Sequence, residues 1–71
     1  MHKLPSISGK KVIRSLNKMG FIIVRQRGSH VFMQRGDAST TVPLNNPVKK
    51  STLKSILNQA GISLEEFLEY L

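Results

Sequence analysis

A chain of 71 residues without a single cysteine has to be held together by one apolar core and little else. Two cores could not each bury enough surface here to offset chain entropy, so residues 1–71 are expected to form one domain. A domain of roughly 60 residues buries only about 60% of the surface its unfolded chain exposes, which calls for short loops and argues against a large internal substrate cavity. The missing cysteines also remove disulfides and thiolate zinc sites, the usual staples of small secreted proteins, and so favour the cytoplasm. Met1 to Ser6 is too short and polar for a signal peptide, and no apolar run approaches the roughly 20 residues that span a bilayer, so no membrane contact is expected.

The apolar spacing changes period along the chain. Val12, Ile13, Leu16 and Met19 fall on one face of a 3.6-residue repeat, with Lys10, Lys11, Arg14 and Lys18 largely opposite. This predicts a basic amphipathic helix from Ser8 to about Met19, capped by Ser8 and ended by Gly20 ahead of apolar Phe21. The runs Phe21–Val24 and His30–Gln34 flank Arg25-Gln26-Arg27-Gly28-Ser29, which reads as a β-hairpin with the arginines at its tip. Arg35-Gly36-Asp37-Ala38 is a second turn, and Ser39–Leu44 a third strand that Pro43 should end or confine to an edge. After Asn45-Asn46-Pro47, the spacing of Leu53, Ile56, Leu57 and Ala60 predicts a second helix ending at Gly61. Ser63-Leu64-Glu65-Glu66 has the form of a capping box that opens a short third helix. The expected fold is α+β: two layers in the order α-β-β-β-α with a short C-terminal helix, both long helices covering one face of an antiparallel sheet.

Charge narrows the function. The chain holds eleven Lys and Arg against four Asp and Glu, a net +7, and the two signs are segregated. Residues 1–60 carry every basic side chain and only Asp37 among the acids, a net +10, whereas Glu65, Glu66 and Glu69 give the tail −3. A field of that sign gathers polyanions, of which nucleic acid is the commonest large one in a cytoplasm. Solubility alone is the plainer use of such charge. Lys10, Lys11, Arg14, Arg25, Arg27, Lys49, Lys50 and Lys54 are the candidate contacts, with Gly28 and Ser29 supplying backbone and hydroxyl groups at the hairpin turn.

The sequence shows few groups able to do chemistry. The imidazoles are His2 and His30, and the acids form no spaced cluster outside the last helix, so no metal site and no cofactor are expected. Gly28-Ser29-His30 matches neither a phosphate-binding loop nor a nucleophile elbow. His30 is nonetheless the one internal side chain of a type that ordinarily titrates near neutrality. RNA carries its own nucleophile in the 2′-hydroxyl, so one base to take that proton, with cations to offset charge growing on the phosphate, would suffice to cut it. Positive charge from Arg25 and Arg27 would disfavour imidazolium and leave His30 free to accept the proton. Spacing alone favours the plainer reading, a half-buried histidine beside Phe32 that is merely packed or hydrogen-bonded.

Ser8-Gly9-Lys10, Leu16 through Met19-Gly20-Phe21, Arg27-Gly28-Ser29-His30, Thr41-Val42-Pro43, Thr52-Leu53 with Ile56-Leu57, and Ala60-Gly61-Ile62 with Glu65-Glu66-Phe67 together resemble the HicA (YcfA-like) toxins over nearly the whole chain. The resemblance implies a double-stranded-RNA-binding-domain-like fold and a toxin that acts as a ribosome-independent mRNA endonuclease (mRNA interferase). It implies His30 as the catalytic residue and a HicB antitoxin that covers the site. Where relatives often carry a second histidine after the Val-Pro pair, this chain has Leu44-Asn45, and an amide cannot shuttle a proton near neutral pH. A non-catalytic RNA-binding module on the same basic surface is therefore the alternative, and a domain that chiefly pairs with an acidic partner protein is a third possibility, compatible with the first.

Overall fold

The computed structural model describes residues 6–71; the segment ahead of Ser6, with His2, lies outside the described residues. The element order is α1 (Gly9–Lys18), β1 (Ile22–Arg27), β2 (His30–Arg35), β3 (Ala38–Pro43), α2 (Lys50–Ala60) and α3 (Leu64–Glu69). This is the α-β-β-β-α layout with a short last helix that the sequence predicts. The sheet is antiparallel in the order β1-β2-β3.

The helix ends follow the expected chemistry. Ser8 caps α1, its side chain accepting from the Lys11 amide, and Ser63 caps α3 by accepting from the Glu66 amide at 3.1 Å. This is one half of the expected capping box, and no return bond from the Ser63 amide to the Glu66 carboxylate is among the described hydrogen bonds. Past α1, the Gly20 amide donates to Asn17 and the Phe21 amide to Leu16, the paired bonds of a Schellman motif, and Phe21 turns back into the core fully buried. Gly61 and Ile62 close α2 in the same way.

Both hairpins use one device. Gln26-Arg27-Gly28 and Gln34-Arg35-Gly36 each place a glycine with positive φ at the first position of a two-residue turn, followed by a residue without it, the pattern of a II′ turn. In each, the glutamine amide donates across the turn to the glycine carbonyl, at 3.0 and 2.9 Å. The tight first turn corrects one expectation. Gly28 and Ser29 alone form the tip, so β1 continues through Arg27, and Arg25 and Arg27 are strand residues whose side chains share one face of the sheet.

Packing is one-sided. Val31 and Met33 of β2 and Thr40 and Val42 of β3 point inward and are buried under Val12 and Leu16 of α1 and Leu53, Ile56 and Leu57 of α2. Phe67 of α3 completes this core. The buried Thr40 hydroxyl lies within bonding distance of the Ile56 carbonyl and the Gln59 side-chain oxygen, which ties β3 to α2. Arg35 fastens the far end: its guanidinium donates to the Met19 carbonyl and lies over the Phe21 ring. The apolar run Ile22-Ile23-Val24 is exposed, each residue by more than half, because β1 is an edge strand bulged at Val24 and packed by α1 only lightly. Among the described residues, no helix is long and apolar enough to cross a membrane.

Candidate functional site

Two residues after a turn start a new alternation, and that alternation decides where His30 points. Val31 and Met33 face the helices, so His30, Phe32 and Gln34 face the opposite side of the sheet, which no helix among the described residues covers. Cross-strand pairing then sets neighbours. Arg27 and Pro43 flank His30 in one row, and Arg25 and Thr41 flank Phe32 in the next. His30, Arg25 and Arg27 are exposed, Phe32 is half-buried, and the Arg25 guanidinium lies over the Phe32 ring at 4.6 Å. His30 is thus not packed into the core beside Phe32, and none of the side-chain hydrogen bonds among the described residues involves its ring.

The topology gathers other predicted residues at His30's end of the sheet. The Leu44 amide donates to the Ser29 carbonyl at 2.7 Å, joining the end of β3 to the hairpin turn. The Gly9 amide donates to the Asn45 carbonyl at 2.7 Å, which seats the start of α1 on the same loop, and the Val48 amide donates to Ile7 just before α2 begins. Both long helices therefore begin at the end where His30 sits. Lys10 and Lys11 lie in the first turn of α1, Lys49 is the N-cap of α2 and Lys50 its first residue, and all four are exposed. Helix N-termini add partial positive charge of their own. Arg14 and Lys54 lie about one turn further along each helix, exposed but away from the hairpin. Asp37 occupies the β2–β3 turn at the opposite end, and Glu65, Glu66 and Glu69 lie on α3, beyond the C-terminal end of α2.

Gly9 explains how the helix start comes so close. A Cβ built there would collide with the Pro43 carbonyl oxygen and stand 2.9 Å from the Leu44 Cα and 3.0 Å from the Pro43 carbonyl carbon, all backbone atoms. Only a residue without a side chain lets α1 abut the end of β3 behind His30. Asn45, exposed, binds α1 through its main chain and leaves its amide side chain free of the described hydrogen bonds. Among the described residues no three His, Cys, Asp or Glu side chains converge as metal ligands would.

Sequence reasoning did not assign a role to Phe32 or Thr41. Their placement beside Arg25 follows from period-two alternation counted from the buried Val31, so the signal was present once that valine's burial was known.

The fold and site define a small basic α+β domain that carries an accessible imidazole on the uncovered face of its sheet, beside cations collected from three elements. The chain belongs to the HicA toxin family: the family described as HicA toxin of bacterial toxin-antitoxin matches it over residues 9–62, from the glycine that seats α1 to the residue that closes α2. It is therefore one member of a toxin–antitoxin pair, with an antitoxin as its partner. No curated protein matches the chain.

Proposed function

We propose that this toxin is an mRNA endonuclease of the cytoplasm that needs neither ribosome nor metal, with His30 as general base. The observation that carries the reading is the exposed imidazole at the end of an open sheet face, next to Arg27 and at the end where α1 and α2 begin. His30 removes the proton from a ribose 2′-hydroxyl. The 2′-oxygen attacks the adjacent phosphorus and the bond to the 5′-oxygen breaks, leaving a 2′,3′-cyclic phosphate and a 5′-hydroxyl that takes its proton from the imidazolium or from water. Arg27, the cross-strand neighbour, faces the charge that grows on the phosphate oxygens, with Arg25 further along the same face. Gly28 and Ser29 hold the turn at the approach to the base. Lys10, Lys11, Lys49 and Lys50, with Arg14 and Lys54 behind them, hold the backbone of the RNA without reading its sequence.

A HicB-type antitoxin silences the toxin by covering this end, where acidic groups on the partner would meet the cations. Asn45, standing where relatives often have a second histidine, favours one competing reading: the same surface binds RNA without cutting it. Purified protein incubated with single-stranded RNA in a chelator decides between them. Cutting is expected from the wild type, with loss of cutting but retention of binding in His30→Ala, and with no cutting at a 2′-deoxy position. Cleavage unchanged in His30→Ala would remove the base from the mechanism, and no cleavage by the wild type would leave the binding module.

A further inference from the structure

The uncovered sheet face contains more than His30. One row away, the planar Arg25 guanidinium lies 4.6 Å over the Phe32 ring. Together they line an open concavity of about 560 Å³ whose wall also includes Val24, Ser39, Thr41 and Gln59. Arginine planes and aromatic rings on an open sheet are what unpaired bases stack upon, and hydroxyls beside such a platform can bond base edges. His30 and Phe32 are two residues apart on one strand, about 6.5–7 Å, and their side chains stand on the same face. A nucleotide whose ribose lies at His30 can therefore reach the neighbouring row with its own base or the next one. A double helix could not use this platform, because its bases are stacked on each other.

We propose that Arg25 and Phe32 form a subsite for one unpaired nucleobase, with the Thr41 and Ser39 hydroxyls at its edge, and that this subsite positions single-stranded RNA so that the scissile ribose meets His30. The proposal deepens the endonuclease reading and rests on its placement of RNA. It gives Arg25 a stacking role distinct from the charge that Arg27 offers the phosphate. Arg25 is suited to that role because its guanidinium already lies over the Phe32 ring before any ligand arrives.

The test separates stacking from charge and binding from cleavage. The probe is a short 2′-fluoro single-stranded oligonucleotide, which lacks the attacking hydroxyl, with fluorescent 2-aminopurine at one position in turn. Wild-type protein is expected to quench the probe at one position. Arg25→Lys keeps the charge and loses the plane, and Phe32→Leu keeps an apolar side chain and loses the ring. Each should abolish the quenching and weaken binding by about 5- to 150-fold, the range for loss of one stacked base. Thr41→Val should alter which base is preferred at the cut site in ordinary RNA. If Arg25→Lys, whose exposed side chain leaves folding untouched, quenches and binds like the wild type, the subsite is refuted. If it does so while wild-type protein still cuts RNA, the endonuclease reading stands without the subsite. Quenching that depends on Arg25 and Phe32 in a protein that cuts nothing would leave the subsite standing and remove the endonuclease.

Discussion

Replacing Gly9 by alanine should destabilise the protein, although helix propensity taken alone predicts the reverse. In a helix interior, alanine is favoured over glycine by about 0.8–1 kcal/mol, and at the first helical residue the gain is smaller. Against it stands the fit with β3. The new methyl would overlap the Pro43 carbonyl oxygen and approach the Leu44 Cα to 2.9 Å, and both belong to main chain fixed by the β2–β3 ladder and by the Leu44–Ser29 hydrogen bond. Neither can swing aside as a flexible side chain would. The start of α1 must then move off β3, with an overpacking cost of about 1–3 kcal/mol and weakening of the Gly9–Asn45 bond worth about 0.5–1.5 kcal/mol. The net loss is about 1–4 kcal/mol, from a total of about 4–10 kcal/mol for a chain of this length. Urea unfolding followed by circular dichroism reads it directly, as a midpoint lowered by about 1 M or more at an unchanged slope. Gly28→Ala is the companion measurement, because nothing lies within 4 Å of a Cβ there and its cost, about 1–2 kcal/mol, comes from the positive φ alone. A Gly9→Ala protein as stable as the wild type, or more so, would refute the close approach of α1 to β3.

Two neighbours in the chain should behave oppositely: Phe21→Ala, in the core, should cost about 3–5 kcal/mol in the same urea assay, and Ile22→Ala, 62% exposed on the edge strand, within about 0.5 kcal/mol of nothing. Thr40→Val keeps the shape and removes the hydroxyl that reaches α2, and should lower stability by about 1 kcal/mol. Salt titration of single-stranded RNA binding should show that Lys50→Ala reduces the slope of log K against log salt by about 0.7, whereas Lys18→Ala, in the last turn of α1 at the other end, leaves it unchanged. Equal slopes for the two variants would mean that RNA does not favour His30's end of the domain.

Much of the secondary structure was legible because it is specified locally. Ser8, Gly20, Gly61 and Ser63 mark helix ends through bonds to residues a few positions away, and the 3.6-residue spacing of Leu53, Ile56, Leu57 and Ala60 needs no partner to be read. Strand β1 was harder. Its bulky residues suit a strand whether buried or not, so nothing local told that Ile22, Ile23 and Val24 would lie at an edge while Arg25 and Arg27 continued the ladder. The tight turn that sends both arginines onto the strand rests on the positive φ of Gly28, and the Gln26 amide bonds the Gly28 carbonyl across it.

Local pattern established an α+β chain with a segregated excess of cations, one internal imidazole beside a Gly-Ser turn, and the run of residues that marks the HicA toxins. It could not show that α1 and α2 both begin at the end of the sheet where that imidazole stands, since the joining bonds link residues as far apart in the chain as Gly9 and Asn45, or Ser29 and Leu44. Nor could it show Arg25 laid over Phe32 on a face that no helix among the described residues covers. Those facts depend on which face of the sheet the helices pack against. Side-chain period sets which residues share a face, but only tertiary packing decides which face is buried and which is left open to a ligand.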